Sequence, residues 1–204
     1  MNVMRIETDR LLVRRLTEND AKALFAVLSN PEVMRYIEPP FSLEQTRAFI
    51  REAGLCEPPL VYAVVWKGEG PIPVIARSDK AEQSASAVLI GHLIWHPWDE
   101  ASMELGWILR RDFWGRGIAK ELTAAILSRT YKDVILECTP AQTATRHIAE
   151  AFGFHVVAIS EERIIYRRNV ENKMNIDFVP AKAGDAVTIS TLRQRIWDTP
   201  YRGI

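Results

Sequence analysis

Apolar positions along the chain switch repeatedly between strand and helix periods. The run Leu11-Leu12-Val13-Arg14-Arg15-Leu16 reads as a strand, and Thr17-Glu18-Asn19-Asp20 offers a cap to the helical set Ala21, Leu24, Phe25, Val27 and Leu28. Asn30-Pro31 stops that helix, Pro39-Pro40 makes a rigid turn, and Ser42-Leu43-Glu44-Gln45 has the form of a capping box for a second helix to about Arg51. The β-branched and aromatic run from Leu60 to Trp66 predicts a strand. A stretch rich in Gly, Pro, Ser and Ala follows, from Lys67 to about Ala87, and reads as a long loop or distorted hairpin. Val88 to His96 and Ser102 to Leu109 are two further strands, and the turn Pro97-Trp98-Asp99-Glu100 makes them an antiparallel hairpin.

Beyond Gly115 and Gly117, apolar residues at Ile118, Leu122, Ala125 and Ile126, with Arg129, keep helical spacing to about Tyr131. Val134 to Cys138 is then a short strand, Thr143 to Phe152 a helix ended by Gly153, and Phe154 to Ile159 and Arg163 to Arg167 two more strands. The order predicts one α/β domain over residues 5–168, with a mixed, mainly antiparallel, twisted sheet flanked by helices. Residues 169–204 form an appendage with a weakly helical set at Val187, Leu192 and Ile196 and no visible chemistry. A packed extension, a homodimer contact and a partly disordered end all stay open for it. No internal repeat is visible.

Composition narrows the partners. A chain of 204 residues with 48% hydrophobic content supports one substantial core. Its 26 Lys and Arg balance its 26 Asp and Glu, so no overall field points to nucleic acid or an acidic membrane, and a small molecule or another protein is the expected partner. Cys56 and Cys138 show no pairing pattern, and the early charges Arg5, Glu7, Asp9 and Arg10 argue against a signal peptide, so free thiols in a cytoplasmic protein are expected. No apolar run approaches the ~20 residues that span a bilayer.

The segment Gly115-Arg116-Gly117-Ile118-Ala119-Lys120 lies between a strand and the first turn of a helix. Unpaired N–H groups and the positive end of the helix dipole suit an anionic pyrophosphate there, glycine permits close approach, and Arg116 and Lys120 add charge. A plain turn explains the same glycines. A dinucleotide-binding βαβ unit does not fit, although Glu137 stands where a ribose-binding acid would. Lys120 occupies the third glycine position of that fingerprint, and the arm from Arg110 to Trp114 is too long for its tight turn.

With these motifs in view the chain resembles the GNAT superfamily, in its ribosomal-protein N-acetyltransferase-like (RimJ/RimL-like) branch. The resemblance rests on Glu7-Thr8-Asp9-Arg10-Leu11 with Arg14, Asn30-Pro31-Glu32-Val33-Met34, Glu104-Leu105-Gly106-Trp107, Phe113-Trp114-Gly115-Arg116-Gly117 and Phe152-Gly153-Phe154, in that order. It implies acetyl-CoA held in a V-shaped gap between two splayed central strands, with pantetheine on the backbone of Trp107, Ile108 and Leu109. It places the pyrophosphate on the loop from Gly115 to Lys120. It also implies transfer of the acetyl group to a primary amine, a protein N-terminus or a small molecule, with no metal. In the superfamily pattern Q/R-x-x-G-x-G/A the first position falls on Trp114, the glycine on Gly117 and the last on Ala119. Gln142 stands where the superfamily has asparagine, Thr145 replaces a serine, and a frequent tyrosine acid aligns with Ala149.

Direct transfer needs a neutral amine, and a carboxylate can take its proton. Glu104 is the candidate: on a strand it points with Gly106 and Ile108, and the missing side chain of Gly106 leaves space for substrate. A solvated glutamate at a strand end is the alternative. A backbone N–H near Ile108 would hold the oxyanion. Thr145 or His147 would replace the tyrosine acid, or none is needed, since a thiol of pKa about 8.5 is already a tolerable leaving group. His147 also reads simply as a helix-surface residue. His92 and His96 are about 13 Å apart on a strand, too far to share a metal, and take structural or substrate-facing roles. His155 has no partner in sequence. Trp66, Trp95, Trp98, Trp107 and Trp114 read as core residues, some lining an acceptor pocket. The missing tyrosine and the glutamine at 142 also motivate a second reading, a catalytically silent acyl-CoA-binding or regulatory module.

Overall fold

Val61, Ala63 and Val65 face one side of a sheet and Tyr62, Val64 and Trp66 the other, and all six are buried. A strand covered on both faces reads as a continuous apolar run, which is how this one appears in the sequence. The computed structural model describes residues 4–68 and 87–170. Most of the Lys67 to Ala87 stretch, and the tail with Val187, Leu192 and Ile196, lie outside the described residues.

The elements are β1 (Ile6–Glu7), β2 (Leu11–Arg15), α1 (Ala21–Leu28), α2 (Pro31–Met34), α3 (Leu43–Phe49), β3 (Val61–Trp66), β4 (Val88–Pro97), β5 (Ser102–Leu109), α4 (Ile118–Leu127), β6 (Asp133–Cys138), α5 (Thr143–Ala151), β7 (His155–Ile159) and β8 (Ile164–Arg168). The strands form one sheet in the order β1-β2-β3-β4-β5-β6-β8-β7, antiparallel except where β5 meets β6. This is the single α/β domain with a mixed, mainly antiparallel sheet that the apolar pattern predicts.

Caps explain the helix starts. Ser42 and Gln45 form the capping box of α3. Asn30, expected only to end α1, also starts α2, its Oδ1 accepting from Glu32 N at 2.9 Å. After α3 the backbone makes one π-type turn over Ile50–Gly54, and α4 ends at Leu127, four residues short of Tyr131.

The core divides across the sheet. Leu105, Leu109, Val134 and Leu136 pack under α4 and α5, while Val61, Ala63, Val65 and Ile108 pack under α1 and α2. The register of β4 on β3 slips between Val64 and Val65, opposite the segment Leu89 to Gly91, so β4 carries a bulge there. Glycine is required at 91, because a Cβ would stand 2.0 Å from the backbone oxygen of Ile108.

β5 remains paired with β4 up to Leu109, opposite Gly91, but with β6 only from Ser102 to Glu104. β6 meanwhile stays with β8 up to Cys138. From Leu105 onward the two central strands therefore part, and the sheet opens into a gap between its halves.

Candidate active site at the parting of the central strands

Two neighbouring cavities occupy the gap. The larger, about 750 Å³, lies between the end of β5, the loop before α4, the start of α5 and the segment from Glu32 to Ile37. The smaller, about 390 Å³, lies between Glu104, Gly106, the end of β6 and the Glu162-Arg163 turn. They share Tyr36, Ile37, Trp107, Ile108, Gln142 and Thr145, which form the partition between them.

Strand alternation decides which backbone groups reach the gap. Arg110 N donates to Ile90 O at 2.8 Å, toward β4, while Leu109 O accepts from Trp114 Nε1 at 2.7 Å on the opposite side. Successive residues of a strand turn their polar groups to opposite edges, so Ile108 faces β4 and Trp107 faces the gap. The backbone donor expected near Ile108 therefore belongs to its neighbour Trp107. Ile108 contributes its side chain, which packs with the α1–α2 side of the core and lines both cavities.

Gly115 and Gly117 have φ of 71° and 76°, in the left-handed region that glycine adopts without strain. Gly117 is the N-cap of α4 and no side chain caps the helix, so the first-turn N–H groups remain available beside Gly117, Ile118, Ala119 and Lys120, all of which line the larger cavity. Arg116 differs from the expectation: its side chain turns onto the ring of Phe113, 5.1 Å from its centre, and its carbonyl accepts from Arg10 Nη1 at 2.9 Å. On α5, Gln142 Oε1 accepts from Thr139 N at 2.7 Å, which leaves its amide N–H₂ for a ligand, and Thr145 lines both cavities. His147 is exposed at the rim of the larger cavity, whereas Ala149 is buried in the core and lines neither.

Glu104 lines the smaller cavity on the same face as Gly106 and Ile108. Burial pushes its carboxyl above the usual glutamate range. His96 opposes that shift and the nearby charge of Glu137 adds to it. Gly106 lines the same cavity, and a Cβ there would also crowd Ile94, lying 3.0 Å from its Cδ1.

The sequence model of the family described as an acetyltransferase (GNAT) domain matches residues 10–155, well over half of the chain. The chain belongs to the GNAT acetyltransferases. This GNAT enzyme is thus an acetyl-CoA-dependent acyltransferase. It is 28% identical over 159 residues to the uncharacterised N-acetyltransferase YnaD of Bacillus subtilis (strain 168), covering 74% of this chain and 82% of that one. Among solved structures it is similar to a GNAT-family acetyltransferase from Bacillus anthracis, with a TM-score of 0.66, 24% identity, and 81% and 98% of the two chains covered. It is also similar to a Salmonella typhimurium acetyltransferase that modifies the N-terminal serine of the ribosomal protein L7/L12, with a TM-score of 0.60, 16% identity, and 82% and 100% covered. These structures bear on the fold.

Three features of the candidate site have contacts that the sequence reading does not assign. The α2 segment walls the larger cavity through Glu32 and Val33, and Glu32 pairs with Arg111 at 2.9 Å. Arg10 braces the glycine loop: besides Arg116 O it holds Glu121 at 2.6 Å and lies over the ring of Trp66. His96, judged only against His92, instead meets Glu104 across the hairpin, Nε2 to Oε2 3.3 Å. The hairpin register pairing residue 96 with 104 is the signal that identifies it. His92 is structural: burial holds it neutral, with its pKa lowered to about 4, beside the ring of Phe49. Among the described residues no group of three or more His, Cys, Asp or Glu is placed to hold a metal, and no helix is long and apolar enough to cross a membrane.

Proposed function

We propose that the protein transfers the acetyl group of acetyl-CoA directly to a primary amine, with Glu104 as the base. The observation that carries this reading is the placement of Glu104, a half-buried carboxyl in the compartment adjoining the larger cavity. A cavity of 750 Å³ ending on an open helix N-terminus suits acetyl-CoA. Pyrophosphate would meet Gly115 to Lys120, pantetheine the gap-facing backbone of Trp107 and Leu109, and the thioester the partition with Gln142 and Thr145.

The amine arrives as an ammonium ion, and the smaller cavity has the charge to receive it. Glu104, Glu137 and Glu162 line it, and its one arginine, Arg163, is paired with Glu137 at 3.3 Å. Loss of a proton to Glu104 gives the neutral amine, which attacks the thioester carbon while Trp107 N–H holds the oxyanion. Collapse breaks the C–S bond. The second nitrogen proton leaves, the thiolate gains a proton from solvent or through Thr145, and the products are the amide and CoA. Orienting the two reactants supplies on the order of 7 kcal/mol of the barrier reduction.

The test is thiol release from acetyl-CoA with a panel of small amines and N-terminal peptides, the peptides included because of the fold shared with the Salmonella enzyme. Acceptor-dependent turnover is expected, with Glu104→Gln lowering kcat by about 10²-fold or more and leaving acetyl-CoA binding intact. Binding without turnover of any acceptor would replace this reading with the silent acyl-CoA-binding module. Full activity of Glu104→Gln would remove Glu104 from the mechanism.

A further inference from the structure

We propose that His96 is a positioning residue and proton relay for Glu104, carrying the amine's proton from the acceptor compartment to solvent. The proposal rests on the reading of Glu104 as base.

The hydrogen bonding of the imidazole defines its role. His96 Nδ1 stands 3.0 Å from Pro97 O, and a carbonyl can only accept, so Nδ1 carries a hydrogen. The other nitrogen, Nε2, faces Glu104 Oε2 at 3.3 Å. Without a further proton both atoms present lone pairs. With one proton between them they are hydrogen-bonded, as His-to-H–O–Glu or as imidazolium to carboxylate. The pair is therefore built to take up a single proton, and the acceptor ammonium is its source.

Placement supplies the exit. His96 and Glu104 are directly opposite on β4 and β5, so their side chains are neighbours on one sheet face. Glu104 lines the acceptor cavity and His96 does not, yet a quarter of the His96 side chain is exposed. A proton passed from Oε2 to Nε2 thus reaches water without crossing the bound acceptor, and Glu104 is ready for the next turnover. The proton count balances: the ammonium loses one proton through this pair, the nitrogen loses a second after attack, and the departing thiolate takes one up. The remaining titratable or charged groups around Glu104 are Glu137 on β6, held by Arg163, with Tyr36, Cys138 and Glu162 on the cavity wall. None of them hydrogen-bonds or forms an ion pair with Nε2.

The pH profile of kcat/KM at saturating acetyl-CoA tests this in wild type, His96→Gln, His96→Ala and Glu104→Gln. In wild type the acidic limb belongs to the His96–Glu104 pair as a unit. His96→Gln can still donate to Glu104 but cannot take a proton. It is expected to move the acidic limb to lower pH and to lower kcat about tenfold, with KM for acetyl-CoA unchanged. Added imidazole is expected to restore part of the activity of His96→Ala. Thermal melts overlapping wild type exclude loss of fold. If both His96 variants keep the wild-type limb and kcat while Glu104→Gln is inactive, the relay is wrong and the base assignment stands. If Glu104→Gln is fully active, the base assignment fails and the relay with it.

Discussion

Replacing Arg10 with methionine probes whether the brace behind the glycine loop matters to acetyl-CoA. Methionine keeps an apolar stem over Trp66 but removes every donor. The lost contacts are Arg10 Nε and Nη2 to Glu121 Oε2, at 2.7 and 2.6 Å, and Nη1 to Arg116 O at 2.9 Å. Glu121 keeps the Thr8 hydroxyl, and with Arg10 gone its carboxyl no longer sits as far below its ordinary range, where burial pushes up and the Thr8 and Arg10 contacts pull down harder. Charge-assisted hydrogen bonds contribute about 1.5–3 kcal/mol each when sheltered, but the Arg10 side chain is 36% exposed, so a total near 2 kcal/mol is appropriate. For a chain of this size that lowers Tm by about 4–8 °C. The loop must also be ordered when acetyl-CoA binds, so Kd should rise about tenfold while kcat at saturation holds. Scanning fluorimetry gives the first quantity and calorimetric titration the second. A Tm within about 1 °C of wild type together with unchanged affinity would refute the brace.

Gly91→Ala should cost about 3 kcal/mol or prevent folding, since its Cβ would meet the Ile108 carbonyl in a place with no flexible neighbour; chemical denaturation measures it. His92 binds a proton near pH 6.5 when unfolded but resists one down to about pH 4 when folded, so stability should fall by about 3 kcal/mol as pH drops through that window. His92→Leu should flatten the same part of the pH–stability curve, and an equally steep fall in that variant would assign the effect to other groups.

Local pattern carried most of the fold into the sequence. The β-branched and aromatic run from Leu60 to Trp66, the capping box at Ser42 and the hairpin turn after Pro97 act over a few residues, and these elements appear where they are expected. The errors follow from interactions over longer range. Arg129 continues the helical spacing of α4, but the helix ends at Leu127, and the Arg129 guanidinium reaches back to Ala125 O. Asn30-Pro31 reads as a stop, but an Asn cap followed by Pro and then Glu in the first turn is also a local start signal, and both readings hold here. Arg10 and Glu121 are 111 residues apart, and no periodicity joins them. The glycine loop and Glu104 stand out in the sequence as candidate chemistry, whereas the turn of Arg116 onto Phe113 depends on packing.

The parting of the central strands joins these separate features into one arrangement. Because Gly91 lets β4 close onto the end of β5, β5 stays with β4 and leaves β6, and its unpaired edge is the one bearing the polar groups of Trp107 and Leu109. An acyl chain bonded to that edge lies in the plane of the sheet. Side chains stand perpendicular to that plane, so Glu104 and His96 share the sheet face that also carries Ile94, Gly106 and Ile108. On the proposed reading the acyl donor runs along the strand edge and Glu104 approaches from the sheet face, so the amine's proton would leave by a path separate from the line of attack.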